Sequence, residues 1–223
     1  MELKRGKIFL DMDGVLVDFN RGTADALNKC IQTGETHGSK SVRQFLNYSG
    51  EDKEPITQEF QNRALFLKDT DGERSNFMKK ANSAIMSIAA NADINWWLNL
   101  PMAEGARELI DHCIAMVGVD NVQIMTAPFE NSNACIDGKI AWINRYFPMI
   151  DDVTNMHISG EKGDFVDHED PASCILIDDR VKYCNQWSSA GGTPVLHTPP
   201  ASLAGVRNSI NECMKILLDL ERR

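Results

Sequence analysis

Six side chains fall where they could share one chemistry. Asp11 and Asp13 stand in the run Ile8-Phe9-Leu10-Asp11-Met12-Asp13-Gly14-Val15; Thr126, Lys162 and the pair Asp178-Asp179 follow later. Each follows a short apolar run of the kind that forms a buried strand, and in open parallel α/β sheets ligand sites lie beyond the carboxyl ends of the strands. A single acid after a strand is more often a turn former or a helix cap. Four strand ends in succession are different, because they converge in space and would gather four carboxylates, a hydroxyl and an amine. Carboxylates so close together repel unless a cation lies among them, and donors that are all oxygen favour magnesium (Mg2+). Asp11, Asp13, Asp178 and Asp179 are therefore the expected metal set. Such an ion would hold a phosphate dianion beside Asp11, whose carboxylate could attack phosphorus to give an aspartyl phosphate. Asp13 could protonate the leaving oxygen and later deprotonate the attacking water. Thr126 and the neighbouring backbone amides can donate to phosphate oxygens, and Lys162 can offset developing negative charge. Gly14 lets the chain turn tightly straight after the acids.

These residues need a scaffold, and the patterning supplies one. The stretch 7–10 reads as a buried strand. From Phe19 to about Leu100 the texture turns polar and helix-forming, with breakers at Gly34, Gly38, Gly50, Pro55 and Gly72 and helices expected over 20–31, 56–67 and 75–90. After Pro101 strands and helices alternate. Ala106, Leu109, Ile110, Cys113, Ile114 and Val117 keep helical spacing, with Gly118 as the stop. A strand is expected over 122–125, ending at Thr126, and a helix whose apolar stripe is Ile136, Ile140, Ile143 and Phe147. Strands over 156–159 and 174–177 follow, then a helix over 181–190, a Gly191-Gly192-Thr193-Pro194 turn and a strand over 195–197. A last amphipathic helix carries Leu203, Val206, Ile210, Met214, Leu217 and Leu220. Strands alternating with helices predict an α/β fold: a Rossmann-like, mostly parallel sheet core with a helical cap inserted after the first strand. The expected division is a core of 1–18 and 101–223 and a cap of 19–100.

Composition excludes several classes. The chain has 223 residues, 32 acidic against 23 basic, for a net charge of −9. Such a chain repels polyanions at long range, so broad binding to nucleic-acid backbone is not expected. A small anion remains accessible to a local metal or a few local cations. The six cysteines contain no CxxC pair, so buried free thiols are expected rather than a disulfide framework or zinc site. The first residues run straight into a strand, leaving no room for a signal peptide, and no apolar run reaches the ~18 residues of a membrane span. The expected location is the cytoplasm.

The motifs DMDGVL at 11–16, Thr126, Lys162 and Asp178-Asp179, in that order, resemble the four motifs of the haloacid dehalogenase superfamily. The resemblance implies Asp11 as nucleophile, Asp13 as acid/base, Thr126 and Lys162 as phosphate ligands, and the Asp178-Asp179 pair as magnesium anchor, with Asp179 the direct contact. An acid at position 13 resembles phosphatases and mutases, since dehalogenases lack it. Within the superfamily the chain is most similar to the 5′(3′)-deoxyribonucleotidases, through DMDGVLVDF at 11–19, WWLNLPMAEGARELI at 96–110, MTAPFE at 125–130, GKIAWINRYF at 138–147 and LIDDR at 176–180. This implies hydrolysis of deoxyribonucleoside monophosphates, with Phe19 as a nucleobase contact and Thr126, Ala127, Lys162 and Arg180 around the substrate. The chain departs from that family at Ala127, where a Ser is common, and at Gly160, where an Arg is usual. Rival readings are the same chemistry on another small phosphate ester or on a nucleic-acid 3′-phosphate, and a non-catalytic binding protein that keeps the fold. The expected partner is a small phosphate substrate, with a homodimer as the candidate assembly.

Other features read as structural. Trp96 and Trp97 are expected to pack the junction between core and cap, and Trp142 to pack in the core. The acidic stretch Asp164, Asp167, His168, Glu169 and Asp170 reads as a solvated loop rather than a second metal site. Lys139 could help position the site, although a helix-surface lysine is the commoner case. His37, His112, His157 and His197 form no pattern, and Gly191-Gly192 belongs to a turn rather than a phosphate loop.

Overall fold

A computed structural model describes residues 6–129, 132–197 and 203–222; Glu130, in the MTAPFE stretch, lies outside them. Five strands, β1 (Lys7–Leu10), β2 (Val122–Thr126), β3 (Met156–Ile158), β4 (Cys174–Asp178) and β5 (Thr193–Leu196), form one sheet in the order β3-β2-β1-β4-β5. Every pairing is parallel, so the sheet is wholly rather than mostly parallel. The strand order reverses direction between β1 and β4, and a doubly wound sheet opens its ligand crevice at that point. Leu10 stands opposite Ile177 in the register, and the Asp11 backbone N–H donates to the Ile177 carbonyl at 2.9 Å. The two acid-bearing strand ends are thereby locked side by side.

Alternation along the strands sends successive side chains to opposite faces. Ile8, Leu10, Val122, Ile124, Ile175 and Ile177 join the larger core with residues of helices α6 (Ala106–Val117), α7 (Asn133–Tyr146) and α9 (Leu203–Glu221). Phe9, Met125, Cys174 and Leu176 face the other way, against Trp187 of α8 (Val181–Ser189). All six cysteines are buried and free. No described helix is long and apolar enough to cross a membrane.

Between β1 and β2 the chain adds helices α1 (Phe19–Thr33), α2 (Lys40–Leu46), α3 (Gln58–Asp69), α4 (Asn76–Asn91) and α5 (Ile94–Leu98). Asp18, Ser39, Thr57, Ser75 and Asp93 each cap the helix that follows with a side-chain oxygen. The first four helices enclose a hydrophobic cluster of their own, built on Leu27, Phe45, Phe60, Phe77 and Ala81.

Three local expectations need correction. Helices α2 and α5 were not anticipated: one is seven residues long and buries only Val42 and Phe45, the other is five residues around the Trp pair. The strand expected over 195–197 begins at Thr193, inside the expected turn, and ends before His197. Pro194 is tolerated there because β5 is an edge strand, where a missing N–H leaves no partner unbonded.

Candidate functional site

Asp11 follows β1, Asp178 ends β4 and Asp179 follows it. Each offers a carboxylate oxygen within 4.8 Å of the other two, and all three residues are buried. The Lys162 ammonium, fully buried, donates to Asp11 Oδ1 and to Asp178 Oδ2, both at 2.6 Å. Asp178 Oδ1 accepts from the Arg180 backbone N–H at 2.8 Å, so both of its oxygens are engaged. Asp179 differs: its Oδ1 is buried with no hydrogen-bond partner. Gly14, at φ 88°, lies against this carboxylate so closely that a Cβ at position 14 would collide with it.

Charge explains the electrostatics. Three carboxylates face one ammonium, an uncompensated balance of two negative charges. Burial, then the charge of Asp11, pushes the Asp178 carboxyl up to about 7 despite Lys162. Burial, then Asp11 and Asp178, pushes Asp179 well above the usual carboxylate range. For Lys162 burial alone would favour the neutral amine, but Asp11 and Asp178 outweigh it and hold the group above the ordinary lysine range. An excess of two negative charges on oxygen donors, one of them unpartnered, fits a divalent cation of the magnesium type.

Asp13, also expected in the metal set, stands apart from this triad. Its carboxylate is drawn to Lys139 of α7, whose ammonium donates to Asp13 Oδ2 at 2.7 Å, to Thr126 Oγ1 at 2.8 Å and to the Ala127 carbonyl at 2.8 Å. Asp13 Oδ1 is left without a partner. Lys139 is 1% exposed, so of its two readings the surface lysine is corrected and the one that positions the site fits its contacts. Burial opposes its charge, and Asp13 and its neighbours restore it, raising the group above the lysine norm. Gly138 makes this seat possible: a Cβ there would strike Trp97, so only glycine lets α7 close on α5. The buried face of α7 therefore runs through Cys135, Lys139 and Trp142 rather than through Ile136 and Ile140. That spacing of four and three is the signal that could have found Lys139.

A cleft of about 540 Å³ opens above the acids, between the sheet ends and the inserted helices. Asp11, Asp13, Gly14, Ala127, Asp179 and Arg180 line it from below, and Phe19 lines it from α1. Thr126, Lys162 and Asp178 do not line it; they lie fully buried beneath and fix the groups that do. Phe19 stacks on Trp97, with centroids 6.0 Å apart and planes at 21°. Trp97 is fully buried and Trp142 donates to the Leu100 carbonyl at 2.9 Å, so both pack as expected. The Arg180 guanidinium, expected at the substrate mouth, is gripped by Asp69 at the end of α3 through two bonds of 2.6 and 2.7 Å. Asp164, Asp167, His168, Glu169 and Asp170 are exposed, and among the described residues only the Asp11 triad forms a metal-competent cluster.

No protein-family model matches the chain, and no curated protein does either. Among solved structures it is similar to a hydrolase from Streptococcus pneumoniae at 14% identity and a TM-score of 0.46, covering 93% of this chain and 99% of that one. It is similar to a haloacid dehalogenase-like family hydrolase from the same organism at 15% identity and 0.45, covering 92% and 90%. A HAD family hydrolase from Deinococcus radiodurans, solved with bound phosphate and sodium, is similar at 14% identity and 0.44, covering 93% and 89%.

Proposed function

We propose that this chain is a magnesium-dependent phosphomonoesterase of the haloacid dehalogenase type, with Asp11 as nucleophile and a deoxyribonucleoside monophosphate as substrate. The observation that carries the reading is the charge imbalance at the strand ends. Asp11, Asp178 and Asp179 exceed Lys162 by two negative charges at the floor of a cleft that also exposes a fourth, separately held carboxylate, Asp13. Asp11 and Asp179, with Asp178 behind them, would hold a magnesium ion, which would supply the positive charge that lets a phosphate dianion approach a carboxylate.

The chain's own residues divide the remaining work. Lys162 orients Asp11 through Oδ1 and leaves Oδ2 to attack phosphorus. As the Asp11–phosphorus bond forms, the phosphorus–ester oxygen bond breaks, and Asp13 in its acid form gives its proton to the leaving oxygen. Asp13, now a carboxylate, takes a proton from the water that attacks the phosphoaspartate, releasing inorganic phosphate and restoring Asp11. Lys139 holds Asp13 by Oδ2 and so fixes the carboxyl that moves the proton. The stretches similar to deoxyribonucleotidases, and the placement of Phe19 in the cleft wall, support a nucleotide as the ester.

The test is phosphate release from a panel of nucleoside and sugar monophosphates, with magnesium and with chelator. Turnover should require the metal, favour deoxyribonucleotides, and fall by more than about a thousandfold in Asp11→Asn. Wild type no faster than Asp11→Asn on every ester would overturn the enzyme reading, and turnover of sugar phosphates alone would overturn the nucleotide.

A further inference from the structure

The inserted helices bring three cations to the same cleft: Lys68 near the end of α3, Arg74 in the loop that follows, and Lys79 on α4. None forms an ion pair or a side-chain hydrogen bond among the described residues, although the chain carries 32 acids and Asp69, Asp71 and Glu73 flank two of the three in sequence. Nor does any cleft acid form an ion pair with them among the described residues. Asp13 pairs with Lys139 and Asp11 with Lys162, Asp179 forms no ion pair with any of the three cations, and Asp69, outside the cleft lining, pairs with Arg180. A second feature points the same way. Gln61 of α3 is 5% exposed and lines the cleft, yet its Nε2 is buried without an acceptor. A buried amide N–H is costly to leave unbonded, so the wall is short of an acceptor. Three cations and an unused donor that the inserted helices and their loop bring to one cleft suit an anionic group with several oxygens, and a guanidinium suits phosphate in particular.

We propose that the substrate carries a second phosphate, remote from the one hydrolysed, and that Lys68, Arg74 and Lys79 receive it while Gln61 donates to it or to its ester oxygen. The proposal rests on the phosphatase reading and replaces the monophosphate named there with a phosphate monoester that bears a second phosphate. A cleft of about 540 Å³ is ample for a ligand larger than one phosphate. The cations also explain how a chain of net charge −9 would draw in a ligand with two phosphate groups, since local positive potential outweighs the distant field.

Two matched measurements test it. Phosphate release is followed on deoxyadenosine 5′-monophosphate and deoxyadenosine 3′,5′-bisphosphate, and on fructose 6-phosphate and fructose 1,6-bisphosphate. Within at least one pair the bisphosphate should have a kcat/KM about tenfold higher, expressed in KM, and that preference should shrink to within about twofold in the Lys68→Gln, Arg74→Gln, Lys79→Gln triple variant. Arg74→Gln alone should remove about half of it on a logarithmic scale. Calorimetric binding of the same four compounds to Asp11→Asn, with and without the three changes, reads the site without turnover. Bisphosphate preference in binding with no turnover of any ester would sink the phosphatase and keep the anion site. Turnover without preference, or a preference that survives the triple change in both assays, would overturn the proposal and leave the phosphatase standing.

Discussion

The two sides of the cleft treat charge in opposite ways. On the sheet side every cation is committed: Lys162 to Asp11 and Asp178, Lys139 to Asp13, Arg180 to Asp69. On the helical side Lys68, Arg74 and Lys79 form no ion pair among the described residues. Burial makes the difference. An ammonium taken out of water must be paired and hydrogen-bonded, so buried lysines are fixed in place by their acids. Lysines at a solvated wall keep their hydration and need no partner until a ligand displaces the water. The floor is thus set before any ligand arrives, while the wall acquires its geometry from what binds.

Three changes can break or sharpen this contrast. The largest effect is expected from Lys139→Met, which keeps volume but strips Asp13 of its cation and Thr126 of its donor. Turnover should fall by about a hundredfold, expressed in kcat rather than KM, because Asp13 and Thr126 lose the group that holds them in place. An unchanged kcat would reduce Lys139 to a packing role. Next comes Asp179→Asn, which removes one of the two uncompensated charges. In chelator the variant should be more stable than wild type by about 1–3 kcal/mol, and the rise in Tm that magnesium gives wild type should disappear. A variant still stabilised by magnesium to the wild-type extent would place the ion elsewhere. The smallest effect belongs to Asp69→Asn, which cuts the tie between the helical side and Arg180. Both partners are partly screened, so a loss of about 1 kcal/mol in urea unfolding is expected, together with a KM a few-fold higher at unchanged kcat. A fall in kcat instead would mean that the pair also orders the acids.

The sheet side was readable in the sequence because its signals are local. Ile8 and Leu10 alternate with Phe9, Ile175 and Ile177 with Leu176, and the acids follow at the step where the apolar run stops. Parallel strands then bring those stops together without further instruction. Lys139 escaped that logic because its burial depends on Asp13, 126 positions earlier, and on a glycine whose purpose is visible only with Trp97 in place. The free cations of the helical side escaped for the opposite reason. Lysines and arginines scattered through polar helices look like any solvated surface, and only the folding of α3 and α4 over the strand ends turns three of them toward one space. Phe19 was recognisable as an aromatic beside the site, but its stacking on Trp97 is a tertiary fact.

The clasp between Asp69 and Arg180 has a metric consequence. Asp69 is the immediate neighbour of Lys68, and Arg180 is the immediate neighbour of Asp179. The pair therefore acts as a ruler, pinning the gap between the acids below and the first cation above. A ligand that engages both must be long enough to span that gap. Molecules of equal charge and different length should be told apart by a contact that touches neither end of them.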